Sequence, residues 1–269
     1  MRPIDSIIDT ELACWDGYRE LIASLPGESF PGPGVLDSLL PPGAVSGNGL
    51  PIQFVPASHL PAVQYEKHIY ETGEVSTREN SWHDLFNALA WCRLPKLKAA
   101  MNALHYTNLD GEKDGSRGKL RDALTLLDES GVIVAGSNRD VLQALVSRDW
   151  HTAFVIHRAA WRSQLQVLVC GHGLLEKFLN LYKSMTAHAL ILHTTHLAPW
   201  EQLDERLGAS LGDRQLFDSP AGLSPLPLMG IPGWWPDGEQ NDDFYADQGV
   251  FRPAPVSLTP APIYHLSGM

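Results

Sequence analysis

The dipeptide Leu94-Pro95 constrains this chain most, because it cuts an otherwise helical stretch, residues 78–105, into two pieces. The residue before a proline is pushed out of the α region, whereas proline suits the first turn of a new helix. One helix therefore ends near Arg93 and another starts at Pro95. Trp82, Leu85, Phe86 and Leu89 fall at i, i+3, i+4 and i+7, and Leu97, Met101 and Leu104 form a second apolar stripe. Ser81 stands as N-cap of the first helix, and Ser81-x-x-Asp84 has capping-box spacing, which favours a capping role for Asp84.

The polar faces of this helical hairpin carry the chemistry. His83 and Asn87 lie one turn apart on the first helix, and Lys98, Asn102 and His105 share a face of the second. An antiparallel connection places His83 and His105 at the same end, where two imidazoles suit a metal ion or acid–base work. The competing reading is that hydrogen bonds to caps and carbonyls satisfy both.

Around this hairpin the patterns alternate between helix and strand. Residues 4–25 read as an amphipathic helix, and residues 26–61, rich in proline and glycine, as an irregular wrap with a short strand over Ile52–Val55. Tyr65–Thr77 and Leu124–Ala135 read as β-hairpins, the second turning at Asp128-Glu129-Ser130-Gly131. Asp128 continues the Leu124/Leu126 face, which makes it a candidate metal ligand or ion-pair member beside the turn-cap alternative. Between them a charged loop carries Lys113, Arg117, Lys119 and Arg121, suited to a phosphate or carboxylate, although Asp110, Glu112 and Asp114 offset it.

Two further helices are predicted over Asn138–Val146 and Trp150–Trp161. A strand over Gln164–Cys170 then meets Gly171-His172-Gly173 at the start of a helix, where free N–H groups gather. His172 and Glu176 are i, i+4 on that helix and can converge on one ligand. Ala187–His193 alternates as a strand with His188 and His193 on opposite faces. Trp200–Leu211 reads as an acidic surface helix. Residues 218–269 form an irregular proline, glycine and aromatic arm, expected to pack Trp234, Trp235, Phe244, Tyr245 and Phe251 on the body and to roof the histidines.

Composition excludes several classes. With 44% hydrophobic and 19% charged residues the chain is globular rather than disordered. A net charge of −11 disfavours nucleic acid and anionic membranes as partners. Three widely spaced cysteines, Cys14, Cys92 and Cys170, form no metal or redox pair and fit a reducing compartment. With no signal-peptide core or membrane-length apolar run, a cytoplasmic location is expected. No P-loop, dinucleotide fingerprint or G-x-S-x-G frame occurs, so nucleotide cofactors gain no support.

The blocks RENSWHDLFNALAW, RDALTLLDESGVIVA, GHGLLEK with TAHAL, and PLPLMGIPGWW followed by FYADQGVFRP resemble those of a proteobacterial family catalogued only as a domain of unknown function, over roughly residues 45–255. The resemblance implies no activity, cofactor or catalytic residue.

The sequence thus predicts a single α+β domain. Its leading functional reading is a metal-dependent hydrolase for a small phosphoester or carboxylate-bearing molecule. His83, His105, Asp128, His172 and His188 are the candidate ligands of one zinc, manganese or iron ion. Glu176 is the candidate general base, also a possible ligand, with Asn87, Asn102 and Arg121 orienting substrate. The alternative is a non-catalytic ligand-binding or scaffold protein with a buried His/Asn network. A nuclease is the third reading.

Overall fold

The computed structural model describes residues 7–27, 29–57, 65–108, 118–235, 239–257 and 259–266. In chain order the first elements are α1 (Arg19–Ala23), α2 (Pro33–Leu39), β1 (Gln53–Pro56), α3 (Tyr65–Thr72) and β2 (Glu74–Thr77). The central ones are α4 (Trp82–Arg93), α5 (Pro95–Thr107), α6 (Lys119–Ser130), β3 (Gly131–Gly136), α7 (Arg139–Val146), β4 (Leu165–Val169) and α8 (His172–Lys177). The last are β5 (Thr186–His193), α9 (Trp200–Gly212), β6 (Ser224–Pro227), α10 (Asp242–Tyr245) and β7 (Tyr264–His265). The class is α+β.

The main sheet runs β4-β3-β5-β6, with β7 beside the end of β5. Its β3–β4 and β5–β6 pairs are antiparallel, and β3–β5 is parallel. Every residue of β3 is buried, as an uninterrupted GVIVAG run requires of a strand covered on both faces. The small sheet, β1 with β2, is parallel.

The break at Leu94 forms as predicted, and Leu94 is at once the end of α4 and the entry to α5. The two helices do not lie flat on each other: α4 packs mainly on α8, and α5 on α9 and α3. No local side chain caps α5. Asp204 of α9 does so from across the interface, its carboxylate oxygens accepting from the Lys96 and Leu97 N–H groups at 2.9 Å each. Gly208 makes the approach possible, since a Cβ there would stand 2.8 Å from Lys96. Far from being surface cover, α9 buries Leu203, Asp204, Leu207 and Leu211.

Both expected hairpins are corrected. Residues 65–72 are helix α3, ended by Gly73 at φ +79, after which β2 pairs with β1. Residues 119–130 are helix α6, and β3 follows without a loop. The helical period lies in Ala123, Leu124 and Leu127, all buried, so tertiary contact overrides the turn propensity of Asp-Glu-Ser-Gly. Only glycine tolerates the abrupt switch at Gly131, where a Cβ would stand 2.1 Å from the Leu127 carbonyl oxygen.

At the N-terminus the long helix expected over residues 4–25 is, from residue 7 onward, a 3₁₀ turn at Ala13–Trp15 followed by α1. Trp15 and Tyr18 anchor it, the Tyr18 hydroxyl donating to the Val169 carbonyl at 2.6 Å. The stretch expected as a helix over 150–161 is a π-helical turn at Thr152–Ile156 followed by a 3₁₀ turn at Arg158–Arg162. Phe154, buried in that π turn, receives Tyr245 and Phe251 of the C-terminal arm. The arm also contributes strand β6, which was not anticipated.

Candidate functional site

Three close approaches bring the site together. A Cβ on Gly171 would collide with the Gly131 and Ser130 backbone nitrogens, and one on Gly173 would stand 2.6 Å from Glu129 Oε2. The start of α8 can therefore abut the end of α6. This sets His172 beside Asp128 and Glu129, while α4, packed on α8, delivers His83.

The two imidazoles meet at Nε2, 3.0 Å apart, with their rings at 72°. His83 Nδ1 lies 3.2 Å from Glu176 Oε2. His172 Nδ1 is buried without a hydrogen bond and faces Asp128 Oδ2 at 3.7 Å. Each ring thus turns its outer nitrogen toward a carboxylate and its inner nitrogen toward the other ring. Facing nitrogens at this distance need a shared proton or a cation between them. Glu129 Oε1 lies 3.6 Å from His172 Nε2, and His83, Glu129 and His172 offer ligand atoms all within 4.8 Å of one another.

Asp128 does something different. Lys98, itself buried, donates from Nζ to Asp128 Oδ1 at 2.5 Å and to Asn87 Oδ1 at 2.9 Å. The Asn87 amide in turn donates to the Tyr65 hydroxyl at 2.6 Å. Burial alone would raise the Asp128 pKa, but Lys98 and then His172 overcome it and hold the carboxyl well below the usual range. Burial pushes His105 below the ordinary imidazole value, with Glu66 and Asp128 opposing.

His83, Asn87, His105, Asp128, Glu129 and His172 line a cleft of about 460 Å³ that also receives Tyr65, Glu66, Arg78, Asp84 and Arg121. Of the residues predicted from sequence, His83, Asn87, His105, Arg121, Asp128 and His172 line it, and Glu176 reaches it through His83. Two are placed elsewhere. His188 hydrogen-bonds Ser130 through Nδ1 at 2.9 Å, and Asn102 pins the Gly47 N–H and the Glu66 carbonyl. Lys113 and Arg117 lie outside the described residues. Among the described residues, none of the C-terminal arm lines the cleft, so the expected aromatic roof is absent from it.

Asp84 fulfils half of its capping box. Its N–H donates to Ser81 Oγ at 3.3 Å, but its carboxylate takes the Arg78 backbone N–H at 2.7 Å and guanidinium bonds at 2.8 and 2.9 Å. Sequence reasoning missed Glu129 and the Lys98–Asp128 pair. The signal was the helical phase of α6, which carries the adjacent Asp128 and Glu129 to the end of a helix that glycine lets approach α8.

A family described as a protein of unknown function, DUF3025, matches residues 52–255. The chain belongs to this family. The matched DUF3025 span contains His83, Asp128, Glu129, His172 and Glu176, and so the whole cluster. No curated protein and no solved structure matches the chain. Among the described residues of this DUF3025 member, no helix is long and apolar enough to cross a membrane.

Proposed function

We propose that the cleft is the centre of a metal-dependent hydrolase in which His83, Glu129 and His172 hold one divalent cation. The observation that carries the reading is the pair of imidazoles presenting Nε2 to the same point, each backed by a carboxylate at Nδ1. Outer-shell carboxylates of this kind orient ligating histidines and raise their basicity. A tetrahedral ion with bonds near 2.0–2.1 Å separates its nitrogen ligands by about 3.3 Å. The contacts of 3.0 Å between the imidazoles and 3.6 Å to Glu129 bracket that value. Glu66, Asp84, Asp128 and Glu129 outnumber Arg78 and Arg121 in the lining, which favours a cation there.

Such an ion would supply a water nucleophile near neutral pH. The chain's own residues do the rest. Glu176 and Asp128 orient His83 and His172, and Lys98 fixes Asp128. Arg78, steadied by Asp84, and Arg121 would receive the anionic part of a small phosphoester or carboxylate-bearing substrate. His105, neutral by burial, stands in the same cleft to relay a proton.

A second reading rests on the chain Tyr65–Asn87–Lys98–Asp128, which closes without a metal and would suit a non-catalytic binding or scaffold protein. Titration of purified protein with zinc and manganese separates the two. The hydrolase reading expects a single site that weakens at least 100-fold in Glu129→Gln and His172→Ala. Equal or absent metal binding in wild type and variants, with a lowered melting temperature in His172→Ala, would establish the scaffold instead.

A further inference from the structure

A second cavity, of about 420 Å³, shares no lining residue with the cleft. It is bordered by Arg148, Trp150, Ser184, Thr186, Pro225 and Arg252, and no carboxylate lines it among the described residues. Unlike Arg78 and Arg121 of the cleft, its two arginines have no carboxylate beside them in the described lining, in a chain of net charge −11. The neighbouring acids are engaged elsewhere. Asp149 accepts from the Thr152 hydroxyl at 2.7 Å, and Asp247 pairs with Lys183 at 2.7 Å.

Both arginines are fixed at the backbone. Arg148, at φ +56, follows the end of α7, its N–H bonded to the Leu145 carbonyl and that of Asp149 to Ala144, a Schellman cap in which glycine is the usual occupant. Arg214 closes α9 in the same way. The Trp150 indole donates to the Arg252 carbonyl at 2.7 Å, and Arg252 Nε donates to the Gly249 carbonyl at 3.3 Å. Two guanidinium groups, two hydroxyls and an aromatic wall make a receptor for a dianion carried on an apolar group.

We propose that this cavity binds the phosphate group of a small organic phosphate, with Arg148 and Arg252 on the anion and Trp150 and Pro225 against its apolar part. This site is independent of the metal centre.

Calorimetric titration at fixed ionic strength with phenylphosphonate and with inorganic phosphate tests it. A saturable site that Arg121→Gln leaves in place is expected, several-fold tighter for phenylphosphonate. Arg148→Gly relieves the left-handed backbone while deleting the side chain, so it should weaken binding at least tenfold with an unchanged or raised melting temperature. Arg252→Gln should weaken it similarly, and Arg121→Gln, in the other cleft, should leave it intact. Wild-type affinity in Arg148→Gly, loss in Arg121→Gln, equal affinity for the two probes, or no saturable heat would each overturn the assignment.

Discussion

Asp128 and Asp204 are both carboxylates withdrawn from water, yet their surroundings push them in opposite directions. Asp128 has Lys98 and His172 beside it and is held well below the usual carboxylate range. Asp204 is 2% exposed and among the described residues hydrogen-bonds backbone N–H groups alone, and burial drives its pKa up to about 6 against those bonds and the charge of Lys96. The difference is one of partner. A buried cation offsets desolvation of a carboxylate, whereas two amide dipoles offset only part of it. Asp128 therefore belongs to a charged network around the candidate metal centre, and Asp204 is a structural cap.

The sharpest way to break this contrast is to remove the cation. Lys98→Met leaves Asp128 largely withdrawn from water with only His172 beside it, for which about 3–5 kcal/mol of lost stability at pH 7 is expected in chemical denaturation. The double variant Lys98→Met/Asp128→Asn should recover much of that loss. If the double variant is as unstable as the single one, the ammonium's other contacts, with the Trp91 ring and the Asn87 carbonyl, rather than its pairing with Asp128 explain the loss.

The next effect is the pH profile of Asp204. Its native pKa lies above the unfolded value near 4, so between about pH 4 and 6 the native state keeps a proton that the unfolded chain has released. Stability should fall as pH rises through that window and level off above it. Compared with Asp204→Asn, the wild type should lose on the order of 2–3 kcal/mol between pH 4 and 7. A difference between the two proteins that is flat with pH would show that the helix N-terminus stabilises the Asp204 carboxylate as much as burial penalises it.

The two aspartates also show what the sequence could disclose. The meeting of His83 with His172 depends on α4 packing on α8, which no local spacing records, whereas the break at Leu94-Pro95, the stripes of α4 and α5, and the strands over Leu165–Val169 and Thr186–His193 were legible from local pattern. The role of Asp204 was not, because a cap given from one helix to another leaves no local spacing. Asp128 was singled out but read on a strand. A tetrapeptide with turn chemistry sits at the end of α6, and the glycines that allow the α6–α8 contact look, in sequence, like loop punctuation. Close backbone approach, not turn geometry, is what Gly131, Gly171 and Gly173 provide.

A smaller effect tests whether the pH slope belongs to Asp204 at all. Helix α4 is capped locally by the Ser81 hydroxyl, a neutral group, and α5 remotely by an ionisable one. Ser81→Ala removes one such bond and should cost about 1 kcal/mol. Because serine does not titrate, that cost should be the same at pH 4 and pH 7. Both helices meet at Leu94, and both caps satisfy first-turn N–H groups. A Ser81→Ala penalty that grows with pH would point to Asp84, whose N–H the serine receives and whose carboxylate holds Arg78. Burial would raise the Asp84 pKa, but Arg78 holds it below the usual carboxylate range, so Asp84 stabilises the native state as pH rises and would flatten the falling slope of Asp204 rather than produce it.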